Sequence, residues 1–352
     1  MGEKGDERVV KYMSEVVGNR VLCEKLCLDV IEDKLSHACI IEGPKGTGKH
    51  TIAKNVAAAL ACTSKPENVG RFPCLECADC RKVLDGDCPD LITVGCDEKA
   101  TIGVDTVRFL REDVRTVPND LDFKIYIIED ADKMTTQAQN AFLLTLEEPP
   151  TYVRFFLLCE SAELLLETIK SRAPVIRTQP IDNDEIDRYI SGRDRRAVAM
   201  KLAAPKEYAE LIMASKNGIG MALGYLEPKA FAPVKELRKL IEDFVDAATQ
   251  GERASVIFPM LFKGFSQKRD VLISQLTLLL EAVNDLMLIK NMDNVRLRFF
   301  ADRDRAMELS DRVSMSFLYS FNDAVLTAID NLQRNANVRL TLIKLVSDAT
   351  II

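Results

Sequence analysis

Short and nearly continuous apolar runs alternate with stretches of helical periodicity in the first half of the chain. Runs of that kind are typical of strands that are covered on both faces of a sheet. We predict five such strands, at residues 38–42, 91–95, 124–129, 154–160 and 175–181. Three segments between them carry helical spacing, at residues 49–62, 104–116 and 135–147. The alternation predicts an α/β domain with a five-stranded parallel sheet and crossover helices.

The pattern changes near residue 180, where the strand signal ends and apolar residues recur only at helical spacing. Residues 181–232 predict a small helical unit, and residues 233–352 predict long amphipathic helices. We therefore expect three domains, an α/β core over residues 1–180 followed by two helical domains with those boundaries. The length of 352 residues suits two or three domains.

The composition is that of an ordinary globular protein, with 47% hydrophobic and 29% charged residues. No apolar run approaches the roughly 20 residues that a membrane span needs. The charged residues 1–13 lack the apolar segment of a secretory signal. We therefore expect a cytoplasmic protein without a membrane partner. The net charge of −7 argues against a DNA-coating surface, so contact with DNA is expected to depend on partner proteins.

A glycine-rich loop connects the first predicted strand to the first predicted helix. In that position bare backbone N–H groups can surround a phosphate, while a helix N-terminus and a lysine add positive potential. The candidate nucleotide-binding residues of this loop are Gly43, Pro44, Gly46, Gly48 and Lys49. The alternative is a glycine-rich turn beside an ordinary surface lysine.

The positions that would hold magnesium depart from what that ion requires. His50 stands where a phosphate loop has a hydroxyl residue, and Mg²⁺ prefers oxygen ligands. Thr51 lies about 100° further round the helix, which makes it a poor substitute. At the end of strand 124–129, Glu129 and Asp130 stand in the reverse of the expected Asp-Glu order. We expect a degenerate nucleotide site that includes Thr51, Glu129 and Asp130; the alternative is that the acidic pair is a solvated strand end.

The chain has ten cysteines, and three of them form two overlapping Cys-x2-Cys steps. In a reducing compartment such clusters typically bind metal. A fourth cysteine nearby completes a four-thiolate set for structural zinc, which predicts a zinc module over about residues 62–80 with the ligands Cys62, Cys74, Cys77 and Cys80. Cys88 is the alternative to Cys62 as the fourth ligand. The remaining cysteines are expected to be core or incidental residues.

Several segments resemble the bacterial DNA polymerase III clamp-loader family of AAA+ proteins. The most specific are KIYIIEDADKMTTQAQNAFLLTLEEPP (124–150) and ETIKSRA (167–173). The same family is indicated by VVGNR (16–20), LSHACIIEGPKGTGK (35–49) and NANVRLTLIKLV (335–346). The resemblance implies that the three predicted domains are an AAA+ core of P-loop type with an inserted zinc module, a helical lid, and an all-α collar that binds neighbouring subunits.

By that resemblance, the chain departs from the ATP-hydrolysing members at four places around the nucleotide site. Two are His50 and the Glu129–Asp130 pair. The others are Gly220, where hydrolysing relatives carry an arginine that senses the γ-phosphate, and Glu160–Ser161, where a threonine often stands. The resemblance implies that the chain's own ATPase activity is absent or very weak, and it leaves open whether ATP and Mg²⁺ bind.

One catalytic element of the family remains. The Ser-Arg-Ala sequence at residues 171–173 matches the family's Ser-Arg-Cys motif except at Ala173. The resemblance implies that Arg172 lies at a subunit boundary and acts as a trans arginine finger on ATP bound by the neighbour. Such an arginine is worth on the order of 10³–10⁵ in rate in phosphoryl-transfer systems. The alternative is a surface arginine that caps the C-terminus of its helix.

The resemblance also implies the partners. These are the gamma/tau and delta subunits of a hetero-pentameric ring, the sliding clamp, and primed DNA reached through the complex, all within a DNA-directed DNA polymerase holoenzyme. Three alternatives compete with this function. An ATP-hydrolysing subunit of the same family requires a serviceable magnesium site, and a zinc-module DNA-binding protein requires salt-sensitive DNA binding by this chain alone. A nucleotide kinase leaves the long C-terminal helices unexplained.

Overall fold

The computed structural model describes residues 10–14, 16–64, 70–96, 100–292 and 295–350. The absence of a secretory signal was predicted largely from residues 1–9, which lie outside the described residues. The strands are β1 (Lys11–Tyr12), β2 (Ala38–Glu42), β3 (Arg71–Phe72), β4 (Leu91–Val94), β5 (Lys124–Ile128), β6 (Val153–Cys159) and β7 (Val175–Arg177).

Five of these strands form one parallel sheet in the order β4-β5-β6-β2-β7. The predicted α/β core with a five-stranded parallel sheet is therefore confirmed. The last strand is shorter than predicted and ends at Arg177 rather than at residue 181. The N–H and the hydroxyl of Thr178 still donate to the carbonyl of Glu42, and the next N–H, that of Gln179, donates to the side chain of Asn19 instead of to β2.

Alternate residues of the central strands point to opposite faces of the sheet, and both faces are buried. On one face Cys39, Ile125 and Phe156 pack in a core with the helix that follows β2. On the other face Ile40 and Tyr126 pack in a second core with the helix after β5 that begins at Thr136. This double coverage explains why these strands appear in the sequence as continuous apolar runs.

The described residues before residue 180 form six helices. They are α1 (Arg20–Ile31), α2 (Lys49–Ala61), α3 (Ala78–Asp85), α4 (Val104–Asp113), α5 (Thr136–Glu147) and the short α6 (Glu167–Lys170), with 3-10 turns at Ala131–Lys133 and Ala162–Leu164. Strands β1 and β3 pair separately in parallel, so that the segment before α1 is joined to the cysteine-rich insertion.

The described chain beyond residue 180 is helical. Its helices are α7 (Asn183–Arg193), α8 (Arg195–Ala203), α9 (Pro205–Ala214), α10 (Ile219–Tyr225), α11 (Pro228–Thr249), α12 (Ala254–Gly264), α13 (Arg269–Asn291), α14 (Arg303–Asp311), α15 (Met315–Gln333) and α16 (Val338–Thr350). A separate apolar core of this region includes Phe244, Leu279 and Phe321.

The chain divides into two compact units. One comprises the described residues up to Tyr189 together with Asn217–Met221, and the other comprises Ile190–Lys216 and the described residues from Ala222 onward. The three-domain division at residues 180 and 232 stays a prediction. Its second boundary falls inside helix α11, which runs through Pro233 without ending.

Helix α13 corrects one expectation from composition. Although no apolar run was expected to be long enough to cross a membrane, Arg269–Asn291 is long and apolar enough by length and composition. Leu276, Leu279, Val283 and Leu286 on this helix are buried in the core of the second unit. A buried core helix of a soluble protein passes the same test, so its apolar character follows from packing.

A buried carboxylate holds the chain between α4 and β5. Asp90 is fully buried and accepts backbone N–H bonds from Asn119 at 2.7 Å, Asp120 at 2.6 Å and Leu121 at 2.9 Å. Burial alone would raise the pKa of Asp90, but these three donors outweigh it and hold the pKa below its ordinary value. The ionised carboxylate therefore stabilises the turn that returns the chain to the sheet.

We predict that Asp90→Asn lowers the free energy of unfolding by about 1.5–3 kcal/mol at pH 7, because the amide cannot accept three N–H bonds equally well. Since the folded-state pKa is lowered, the wild-type advantage is present at neutral pH and is lost as the pH falls through that lowered value. Denaturant unfolding at pH 7 and pH 3 measures both effects. The exposed Asp87→Asn is the control, and equal stability of the two variants at pH 7 would contradict the prediction.

Candidate nucleotide site and cysteine cluster

The glycine-rich loop runs from the end of β2 to the start of α2, as predicted. Gly46 and Gly48 have φ angles of 81° and 86°, in the left-handed region that favours glycine. Gly48 is the N-cap of α2, and Lys49 is the first helical residue. The loop therefore presents its backbone at a helix N-terminus, where the helix dipole favours negative charge.

Gly43 is fixed by a residue that the sequence gave no reason to select. A Cβ atom on Gly43 would lie 1.9 Å from the hydroxyl oxygen of Thr178, which follows β7. That hydroxyl lies 3.2 Å from the hydroxyl of Thr47, which in turn donates to the carbonyl of Pro44 at 2.8 Å. The two threonines thus hold the loop against the edge of the sheet.

Lys49 is bound to the loop itself. Its Nζ donates to the carbonyl of Gly43 at 2.7 Å and to that of Pro44 at 2.9 Å. Burial lowers the pKa of Lys49, and the carboxylates of Glu160 and Asp132 partly offset that effect. The ammonium group therefore fills the curve of the loop and satisfies its carbonyl groups.

The carboxylates predicted to face magnesium have side-chain partners in the same chain. Glu129 Oε1 lies 3.6 Å from His50 Nε2, and Asp130 Oδ2 lies 2.8 Å from Lys133 Nζ. Thr51 is exposed on α2. Imidazole stands where a hydroxyl oxygen is required, and Mg²⁺ needs a nearly ideal octahedron of oxygen ligands. The arrangement is poorly suited to holding that ion.

Asp132, which lies beyond the acidic pair, organises the end of β6. Its Oδ2 accepts the backbone N–H of Glu160 at 3.1 Å, while its Oδ1 is buried without a partner among the described residues. Ser161 caps the following turn by accepting the N–H of Glu163. Glu160 and Ser161 therefore take part in bonds that order the local backbone. They stand at the position where the resemblance places a threonine in ATP-hydrolysing relatives.

The segment 217–221 lies directly on the glycine-rich loop. The N–H of Gly220 donates to the carbonyl of Gly46 at 3.2 Å. A Cβ atom on Gly218 would lie 2.8 Å from the carbonyl oxygen of Lys45, and one on Gly46 would lie 2.8 Å from Met221. Sequence reasoning identified Gly220 only as a missing arginine and overlooked this close approach. The two glycines of Asn-Gly-Ile-Gly-Met were the available signal.

Arg172 lies just after α6, on the surface of the first unit. Its Nη2 donates to Glu147 Oε1 at 3.0 Å, and its Nη1 donates to the carbonyl of Thr168 at 3.0 Å and to the hydroxyl of Ser171 at 3.3 Å. The side chain is 35% exposed. The next residue, Ala173, is fully buried in the core beneath this face. Alanine thus fills the position of the family's cysteine as an apolar core residue.

The four predicted zinc ligands lie together. The sulfur atoms of Cys62, Cys74, Cys77 and Cys80 are all within 4.8 Å of one another. Tetrahedral zinc with Zn–S bonds near 2.3 Å requires sulfur atoms about 3.8 Å apart, and those of Cys74 and Cys80 are 3.9 Å apart. The cluster fits one four-coordinate ion, and Cys88 is not a member of it.

Backbone groups prepare this cluster for a metal. The N–H groups of Cys74, Cys77 and Cys80 donate to the sulfurs of Cys62, Cys74 and Cys77 at 3.4, 3.3 and 3.4 Å. Burial raises the pKa of Cys74, but backbone donors outweigh it and lower that pKa to about 6. A thiolate is the form that binds metal, so these donors favour the coordinating state.

We predict that Gly218→Ala separates segment 217–221 from the glycine-rich loop, because its Cβ has no room beside the carbonyl of Lys45. Forcing a methyl group into such a contact costs about 1–3 kcal/mol, and hydrogen exchange at the N–H of Gly220 should accelerate. The control is Gly224→Ala in α10, where an added Cβ meets nothing. Unchanged exchange at Gly220 in the Gly218 variant would show that the contact does not hold the loop.

Comparisons with known proteins find similar sequences for the first half of the chain. The family model described as "DNA polymerase III, delta subunit" matches residues 18–182. DNA polymerase III subunit tau of Bacillus subtilis is 34% identical over 206 residues, covering 58% of this chain and 35% of that protein. DNA polymerase III subunit delta' of Bacillus subtilis is 34% identical over 196 residues, covering 55% of this chain and 58% of that protein.

A solved structure of a gamma subunit-related protein from Thermotoga maritima aligns with 93% of this chain and 98% of its own, with 20% identity and a TM-score of 0.45. The chain spans about a third of the tau subunit and somewhat more than half of the delta' subunit. The matched segment contains the glycine-rich loop, strand β5 with the acidic residues after it, and Arg172. On these matches, the first half of the chain is similar to the DNA polymerase III clamp-loader family.

Proposed function

We propose that the chain is a delta-prime-type subunit of the clamp loader, which supplies Arg172 to ATP bound by a neighbouring subunit and hydrolyses little or no ATP itself. The observation that carries this proposal is the contrast between two sites. The groups of its own nucleotide site are paired with one another, whereas Arg172 lies on the surface in a weak ion pair.

Three contacts oppose hydrolysis at the chain's own site. Lys49 is bound to the loop carbonyls, His50 faces Glu129 at the magnesium position, and Gly220 lies against Gly46 where an arginine would sense the γ-phosphate. Phosphoryl transfer depends on positioning and on a metal that neutralises charge. Each contact is unfavourable either for positioning the phosphate or for holding the metal, so we expect weak or absent ATP turnover.

The surroundings of Arg172 suit a subunit boundary. Leu144 on α5 is 59% exposed and lies one turn before Glu147, and Leu164 is 64% exposed in the turn before α6. Arginine is enriched at interfaces between proteins, and the two leucines add exposed apolar surface on the segments that carry Arg172 and its partner Glu147. The ion pair with Glu147 is worth at most about 1 kcal/mol at such exposure, so the guanidinium can also bind a phosphate.

The proposed role fits a hetero-pentameric ring with gamma/tau-type and delta-type subunits. The ring would open the sliding clamp and place it on primed DNA during replication in the cytoplasm, without a membrane partner. We propose structural Zn²⁺ on the four-cysteine cluster, which would stiffen the insertion after α2 and leave no open position for chemistry.

Two measurements test the role. The isolated chain is assayed for steady ATP turnover in Mg²⁺, and the chain mixed with the other loader subunits is weighed by native mass spectrometry. We expect negligible turnover and one copy in a pentamer. Brisk turnover by the isolated chain would instead fit a gamma/tau-type ATPase, since the chain is also similar to tau and tau/gamma subunits. Tight, salt-sensitive DNA binding by the isolated chain would fit a zinc-module DNA-binding protein.

We predict that Arg172→Ala slows ATP hydrolysis at the one site that it serves by about 10³-fold or more, because a trans arginine stabilises the transition-state charge. The total ATPase rate of the reconstituted ring should fall by the fraction of that rate that this one site contributes. Circular dichroism of the isolated variant should be unchanged, since the side chain is partly exposed. Arg115→Ala is the control, because Arg115 is exposed and pairs with Glu112. An unchanged rate for Arg172→Ala would remove this residue from the mechanism.

We predict about one zinc ion per chain in protein purified under reducing conditions, as a closed four-thiolate site requires. Cys77→Ser should release the metal, because three thiolates and a hydroxyl bind zinc far less well. Cys88→Ser should retain it, since Cys88 lies outside the cluster. Metal analysis by mass spectrometry measures all three proteins. Metal-free wild-type protein, or loss of zinc from the Cys88 variant, would contradict the assignment.

A further inference from the structure

The geometry around Arg172 points to a second residue in the proposed reaction. We propose that Glu147 is a positioning residue, which holds the Arg172 guanidinium in the orientation needed by a phosphate of the neighbouring subunit. This inference rests on the proposed function of Arg172. A side chain on a different helix would then set the orientation of the arginine, and part of the rate of ATP hydrolysis would depend on it.

Contacts from two helices fix the guanidinium. Glu147, the last residue of α5, accepts from Nη2 at 3.0 Å. At the end of α6, the carbonyl of Thr168 accepts from Nη1 at 3.0 Å, and the hydroxyl of Ser171 lies 3.3 Å from the same nitrogen. Bonds to both Nη atoms set the plane of the group as well as its place. Without Glu147 only Nη1 would be held, and the group could rotate.

A buried amide holds the two helices at a fixed separation. Gln139 on α5 is 4% exposed. Its Nε2 donates to the carbonyl of Leu164 at 3.2 Å, and its Oε1 accepts the N–H of Leu166, the N-cap of α6, at 2.8 Å. Both the Nε2 and the Oε1 atom of this amide bond to the backbone just before α6. The separation of the two helices that carry Glu147 and Arg172 is therefore set by buried contacts.

The contacts leave a donor pair free for a ligand. A guanidinium has five N–H donors. Among the described residues, the three bonds of Arg172 use both Nη1 hydrogens and one Nη2 hydrogen. Nε–H and one Nη2 hydrogen remain as a pair of donors, and charge-assisted bonds from a guanidinium to phosphate oxygens are strong. Glu147 thus occupies one donor and leaves this pair accessible.

The ion pair between Glu147 and Arg172 contributes orientation rather than a large interaction energy. The side chains of Arg172 and Glu147 are 35% and 49% exposed, so water screens the pair. Orientation matters more than the strength of the bond, since misplacing a catalytic group by about 1 Å can cost 10²-fold in rate. An uncharged acceptor of the same shape at residue 147 should therefore preserve most of the effect.

The test uses the full chain reconstituted with the gamma/tau-type and delta-type subunits, with ATPase kcat and KM measured in the presence of clamp and primed DNA. At the site that Arg172 serves, we expect Glu147→Ala to lower kcat by about 10-fold to 10²-fold with KM for ATP unchanged. We expect Glu147→Gln to retain most of the rate because its amide oxygen still accepts. Glu148→Ala is the matched control, since Glu148 is the next residue and is exposed without a bonded partner in the described chain.

A double variant separates positioning from a general structural effect. If Glu147 acts only through Arg172, Glu147→Ala causes no further loss in an Arg172→Ala background. A further loss in that background would overturn the inference, as would an unchanged or increased rate for Glu147→Ala alone. Either outcome leaves the proposed function intact, provided that Arg172→Ala itself is slow. An unchanged rate for Arg172→Ala would instead refute the proposed function.

Discussion

The parallel pairing of β2 with β6 and β7 is the constraint on which the candidate site depends. Parallel strands end at the same edge of a sheet, so pairing brings together the loop after β2, Glu160 after β6 and Thr178 after β7. The hydroxyl of Thr178 then lies where a side chain at Gly43 would be. The position of the glycine-rich loop thus follows from strand register and from the Thr178 contact, independently of the charged groups at this edge.

On that edge, several polar side chains have partners within the chain. Lys49 bonds to carbonyl groups, Glu129 faces His50, and Asp130 pairs with Lys133. Arg172 also has a carboxylate partner, but its contacts leave donors accessible at the surface. The first unit therefore carries a glycine-rich loop with several polar groups paired to one another, and a partly exposed guanidinium at the end of α6.

The strands and the cysteine cluster were predictable because each has a strong local signal. Apolar runs mark strands buried on both faces, and Cys-x2-Cys spacing places three sulfurs on one short segment. Contacts between distant segments were not predictable. The approach of Gly218 to Lys45 joins residues 173 positions apart, and the bond from Gln139 to Leu166 depends on the spacing of two helices. Periodicity carries no information about such pairs. The second predicted domain boundary lies inside α11 because the buried face of that helix continues past Pro233.

The seating of segment 217–221 on the glycine-rich loop has an evolutionary consequence. A larger residue at position 218 would disturb the backbone at Lys45, and a change at position 50 would leave the bond between Gly220 and Gly46 in place. Substitutions in the glycine-rich loop and in segment 217–221 are therefore expected to depend on each other. Related chains that keep this contact should vary at the two segments together rather than at either one alone.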